Sequence, residues 1–215
     1  MQRTIGARRT QPWMYVSALH RLEFQMAFTT LSDEEQNEYW RLYRMYLREA
    51  RRCERANAHL AGCVMLGSAL ETLLSLMVEV FADDAERTGK IPLRGGKPKS
   101  LVDWDLGELL KVAKAANWLP AALKLGDDWD GRRARIGDHA EVVRMVRNLA
   151  HPGRYRKEHF RGRVTSLAYQ RQYRRVELCK DWLADHAASA SDSRGGTTAE
   201  PALTSSQDFN ETTAR

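Results

Sequence analysis

The stretch "LAGCVMLGSALETLLSLMVEVF", residues 60 to 81, limits the fold more than any other part of the chain. Wound as a helix it is apolar around nearly its whole circumference, so it has no polar face to give to water. Its length approaches a membrane span, but Glu71 and Glu79 interrupt it, and carboxylates at bilayer depth are expensive. The expectation is a buried central helix over about 58–83, with other helices packed around it and no membrane as partner. Gly62 and Gly67 mark places where a neighbour can come close. Glu71, in the middle of an apolar run, must find a partner.

The flanking sequence supplies those helices. "SDEE" places Ser32 as an N-cap with Glu35 three residues on, a capping box, and predicts a helix over about 33–55. Trp40, Tyr43, Leu47 and Ala50 recur along it at helical spacing, with Arg44, Arg48, Arg51 and Arg52 on the other face. "RANAH" reads as a tight turn into the central helix. The Gly- and Pro-rich "RTGKIPLRGGKPKS" reads as a surface loop. Further helices are expected over about 105–117, about 138–150 with Asp138 as N-cap, and about 164–187. No segment reads as a strand. The fold class is all-α, an antiparallel helical bundle of about five helices. Its expected parts are an N-terminal arm (1–31), the bundle (32–187) and a Ser/Thr/Ala/Gly-rich tail (188–215) too poor in large apolar residues to order itself.

Cys53, Cys63 and Cys179 form no CxxC pair and no disulfide framework. They read as reduced thiols of a cytoplasmic protein, with Cys63 filling core. "MQRTIGARRTQPW" is followed by no continuous apolar run, so no signal peptide is expected. His20, His59, His139 and His186 have no metal-ligand spacing. Neither a metal nor a cofactor is expected.

Charge is concentrated in one region. The chain carries a net +6, yet residues 131 to 180 hold fourteen lysines and arginines against four acids. Within that region, Arg144, Arg147, Asn148 and His151 are related by steps of three and four and share one helix face. Val142, Val143, Val146, Leu149 and Ala150 form the opposite, apolar face, and Pro152 and Gly153 end the helix. Guanidinium groups bind phosphate bidentately and stabilise charge developing on it. Histidine is the side chain that moves protons near neutral pH. Together they could cleave RNA: the histidine serves the 2′-hydroxyl or the leaving oxygen, the arginines serve the phosphorane-like transition state, and the asparagine orients them. The same residues also suit a structural role. His151 could cap a helix C-terminus, and Glu71 could pair with Arg147 or His151. Downstream, Arg154, Arg156, Lys157, Arg161 and Arg163, interleaved with Tyr155 and Phe160, suit an RNA backbone or a solvated basic face.

Two stretches resemble the HEPN superfamily. "YLREARRCERANAHLAGCVMLGSALETLLSLMVEVF" is similar to its first helical hairpin, and "RMVRNLAHPGRY" to its arginine-to-histidine motif. The resemblance covers about residues 33–187. It implies a metal-independent endoribonuclease that works as a homodimer, two motif copies facing a shared cleft, with Glu71 at the family's acidic position. The motif departs in either register. Arg144 has six residues before His151 but is followed by Met145; Arg147 is followed by Asn148 but has only three. Non-catalytic RNA-binding or dimerisation modules also occur in the superfamily. Two expectations therefore stand: RNA cleavage by His151, Arg144, Arg147 and Asn148, or a non-catalytic module held by a Glu71/Arg147/His151 network. RNA is the expected partner, and an antitoxin-type protein partner is a further open expectation.

Overall fold

A computed structural model of the chain describes residues 27–123, 133–157 and 164–195. They form an all-α bundle built on the apolar helix. Helix α1 (Asp33–Arg55) opens on the expected capping box: the Ser32 hydroxyl accepts from the Glu35 N–H, and the Glu35 carboxylate accepts from the Ser32 N–H. Its turn into α2 (His59–Val80) passes through Asn57 at φ +57°. Asparagine tolerates this left-handed conformation better than most residues. Helix α2 packs against α1, α4 (Leu106–Ala115), α5 (Ile136–Asn148) and α7 (Ser166–Gly195). Cys63, Leu66, Ala69, Leu70, Leu74 and Val78 are fully or almost fully buried. By length and composition α2 could cross a membrane, but here its apolar surface faces other helices. Two of its hydroxyls bond within the helix, Thr72 to the Ser68 carbonyl and Ser75 to that of Glu71.

Both expected close approaches occur. A Cβ at Gly62 would lie 2.7 Å from the Tyr169 ring of α7, and one at Gly67 would lie 2.7 Å from the Arg147 side chain of α5. The glycines thus bring α7 and α5 onto the central helix.

Several boundaries differ from expectation. Helix α2 stops at Val80, and α3 (Ala82–Arg87) follows after Phe81. The supposed loop contains a minimal antiparallel ribbon, β1 (Leu93–Arg94) with β2 (Lys97–Pro98). Gly95 and Gly96, both at positive φ, make its two-residue turn. Two-residue strands carry no alternation, so sequence periodicity could not show them. The end of the expected N-terminal arm packs onto the bundle. Phe28 and Leu31 are buried, the Leu31 N–H donates to Glu79 Oε2 at 2.6 Å, and the Leu101 N–H donates to the Thr29 carbonyl at 3.0 Å. Helix α7 runs to Gly195, eight residues past its expected end at 187. Residues 1–26 of the arm and 196–215 of the tail lie outside the described residues.

Candidate functional site

Helix α5 carries the Arg/His face, and its start is fixed by a buried acid. Asp138 is not the N-cap that its sequence position suggested. The N-cap is Arg135, and Asp138 lies three residues inside the helix. Its carboxylate accepts from the N–H groups of Arg135 (2.8 Å), Ala122 (3.0 Å) and Leu123 (3.2 Å). Burial pushes this carboxyl up, but the three amides and the Lys114 charge outweigh burial and hold it below the ordinary aspartate value. Gly137 rests on the same segment: its N–H donates to the Pro120 carbonyl at 2.8 Å.

The arginines point to two carboxylates. Arg144 Nε donates to Glu141 Oε1 at 2.8 Å, and its NH2 group contacts the same oxygen. The other Glu141 oxygen accepts from Lys114 Nζ of α4 at 2.9 Å. Burial raises the Glu141 carboxyl, and the Arg144 and Lys114 hydrogen bonds bring it below its ordinary value. Arg147 lays its aliphatic stem across Gly67 and places NH2 2.7 Å from Glu71 Oε2. The second Glu71 oxygen accepts the N–H of Leu106, the first residue of α4, at 2.9 Å. Glu71 therefore satisfies a cation from α5 and a free amide at the start of α4, where the helix dipole favours an anion. Burial is the largest influence on Glu71 and raises its carboxyl above the ordinary value; Arg147 and the Leu106 amide only partly oppose it. The pair is not dry: the side chains of Arg147 and Glu71 are 28% and 22% exposed.

His151 is arranged differently. Helix α5 ends at Asn148, and the expected helix-stopping Pro152 and Gly153 instead begin a new short helix, α6 (Pro152–Lys157). Proline suits a first helical position because its missing N–H is not needed there. The His151 carbonyl accepts from the N–H groups of Arg154 and Tyr155, both at 2.9 Å, and its own N–H donates to Asn148. The imidazole is exposed and makes no hydrogen bond or ion pair among the described residues. The network expected to join Glu71, Arg147 and His151 thus contains Glu71 and Arg147 only. Nor does the imidazole cap the helix carbonyls. No hydrogen bond joins the half-buried Asn148 side chain to Arg147 or His151, so the orienting role expected of it has no contact behind it. The four residues of the face therefore divide into two carboxylate-bound arginines, an intermediate asparagine and an exposed histidine.

Arg154, Arg156 and Lys157 are exposed on α6 beside His151. Arg161 and Arg163 lie outside the described residues. Sequence reasoning did not foresee Lys114 and Glu141 as part of this cluster. Lys114 lies in α4, 27 residues before its partner, and no local pattern links them. Among the described residues no group of three or more His, Cys, Asp or Glu side chains is placed to hold a metal ion. No family model, no curated protein and no solved structure matches the chain.

Proposed function

We propose that this chain is a HEPN-like RNA-binding protein that cleaves RNA phosphodiesters at the end of α5, with His151 as its proton-transfer group. The observation that carries the reading is the contrast between Arg147 and His151. Glu71 fixes the first, and the second stands exposed, without a partner among the described residues, one turn further on. A held cation beside an accessible imidazole is the minimum that such chemistry needs. In the reaction the 2′-oxygen attacks phosphorus, the bond to the 5′-oxygen breaks, and the products are a 2′,3′-cyclic phosphate and a 5′-hydroxyl. One imidazole takes the 2′-proton and a second protonates the leaving oxygen, so two copies of the chain provide both. Arg147 and Arg144 stabilise the charge on the phosphorane, and Arg154, Arg156 and Lys157 bind flanking phosphates.

One observation favours a second reading, a non-catalytic RNA-binding module: both arginines of the face are already engaged by carboxylates. A cleavage assay separates the two. The full chain is incubated with varied single-stranded RNAs in EDTA, and the ends are analysed. Cyclic phosphate ends, lost in a folded His151→Ala variant, support cleavage at this site. Cleavage that survives His151→Ala refutes the site. Salt-sensitive binding without any cleavage favours the module.

A further inference from the structure

A second feature lies on another side of α2. Between the C-terminal end of α1 and the N-terminal end of α7 runs an open groove of about 550 Å³, lined by Arg51, Glu54, Arg55, Tyr169, Gln170 and Tyr173. That volume lies in the range of small-ligand sites, roughly 300–1,000 Å³. Tyr169 meets α2 at Gly62, whereas Arg147 meets it at Gly67. Five helical residues separate these points by about 7.5 Å along the axis and roughly 140° around it. The groove and the Arg/His face thus occupy the same end of the bundle on different faces.

The chemistry of the groove is specific. The Arg51 guanidinium lies 5.6 Å from the centre of the Tyr173 ring and donates to its hydroxyl at 2.6 Å. The Tyr169 and Tyr173 rings are 6.3 Å apart and tilted by 36°. Tyr169 is 1% exposed, and its buried hydroxyl has no hydrogen-bond partner among the described residues, a state that burial penalises. Along the α1 bank, Arg44, Arg48, Arg51 and Arg55 follow one another at helical spacing and are exposed, and none pairs with a carboxylate among the described residues. This row spans about 16 Å. Glu54 adds one acceptor beside the tyrosines.

We propose that this groove holds an unpaired nucleotide of single-stranded RNA, its phosphates on Arg48, Arg51 and Arg55 and its base against the half-buried Tyr173 ring, which Tyr169 supports from within. A basic row that tracks a backbone, beside aromatic rings on which a base stacks, is the arrangement single strands require. The Glu54 carboxylate repels phosphate and accepts base N–H donors, which sets the base inward and the phosphates outward. The inference shares with the cleavage reading only the class of ligand.

The test reads binding alone. A short fluorescein-labelled 2′-O-methyl RNA lacks the attacking hydroxyl, so its affinity for the full chain is independent of cleavage. The Arg51→Ala/Arg55→Ala double variant should bind about ten-fold more weakly and lower the slope of log K against log salt by about 1.4, roughly 0.7 per lost phosphate contact. Tyr173→Leu, which keeps an apolar side chain there, should also bind about ten-fold more weakly with the slope unchanged. Tyr169→Phe, which removes only a buried hydroxyl that the ligand does not reach, should bind normally. Circular dichroism and melting confirm that each variant is folded, and a duplex of the same sequence should compete poorly. The proposal is overturned if the unsubstituted chain does not bind the single strand, if duplex binds as well, or if the arginine changes act while the folded Tyr173 variant binds normally. In that last case the face is a simple electrostatic surface.

Discussion

Glu71 and Glu79 lie eight residues apart on one apolar helix, about 12 Å along its axis, and the structure gives them different work. Glu79 holds the segment before α1: it accepts from the Leu31 N–H and from the Gln36 amide at 3.1 Å. Glu71 joins α5 to α4 through the Arg147 guanidinium and the Leu106 amide. A carboxylate in an apolar helix marks a long-range tie in both cases. Which tie it makes depends on what the bundle brings opposite, and here Glu71 rather than Glu79 meets the Arg/His face of α5.

Substituting each acid tests this division. Glu71→Ala leaves Arg147 without its carboxylate and the first amide of α4 without its acceptor, so it should lower unfolding free energy by about 2 kcal/mol. That figure is below the usual cost of breaking a fully buried pair because water reaches both side chains. RNA cleavage should fall with it, since Arg147 is released. Glu79→Ala should cost about 1 kcal/mol and increase amide exchange at Leu31 while leaving cleavage intact. Urea unfolding together with the cleavage assay checks both. Equal losses of activity would break the comparison.

Gly67→Ala sharpens it, because it disturbs the Glu71 tie without touching either charge. The new methyl would sit 2.7–2.9 Å from Cδ, Cβ and Cγ of Arg147, so the stem must move and the guanidinium moves with it. A loss of about 1–2 kcal/mol is expected. In a double-mutant cycle most of it should disappear when Arg147 is already alanine.

How much of this was legible in the sequence depended on whether the signal was local. The α1 capping box, the central helix and the two close-approach glycines were visible because patterning within one element determines them. The α4 start was equally readable, since Asp105 and Glu108 form a second capping box that the expected helix boundary nearly reached. Asp138 misled because its partners include Ala122 and Leu123, brought to it by packing rather than by spacing. Phe28 and Leu31 had no periodic neighbours to mark them as core. At the candidate site, Glu71 with Arg147 was one of two pairings that helical spacing allowed. The choice of Arg147 over His151 followed from the point at which α5 ended. That point was misread, because Pro152 and Gly153 look like a stop signal and instead start another helix.

The ionisation of the acids gives the comparison a pH dependence. Glu71 is held above its ordinary value of 4.5, so it binds more protons folded than unfolded. Its contribution, measured against Glu71→Gln, is therefore full below that value and is lost as pH rises through the raised one. Asp138 is held below its ordinary value of 3.8, so the sign reverses. Measured against Asp138→Asn, its contribution is present above 3.8 and is lost as pH falls through the depressed value. Urea midpoints of the three chains across roughly pH 3 to 8 should show the two difference curves sloping in opposite directions. Parallel slopes would mean that burial does not dominate at Glu71.

The smallest expected effect concerns the exposed side of the division, at α6. Gly153 is the second residue of α6, and a Cβ there would meet nothing within 4 Å. Glycine in a helix is less favourable than alanine by roughly 0.5–1 kcal/mol, so Gly153→Ala should firm α6 by up to that amount. Global unfolding should barely change, because α6 buries no side chain in the core. Amide exchange at Arg154 and Tyr155, whose N–H groups donate to the His151 carbonyl, should slow several-fold. A firmer α6 also fixes the backbone that carries His151. If the imidazole works from this position, RNA affinity and cleavage should hold or rise. If it must swing away from α6 to reach its phosphate, cleavage should fall while binding stays constant, and the contrast between a fixed arginine and a mobile histidine would become part of the mechanism.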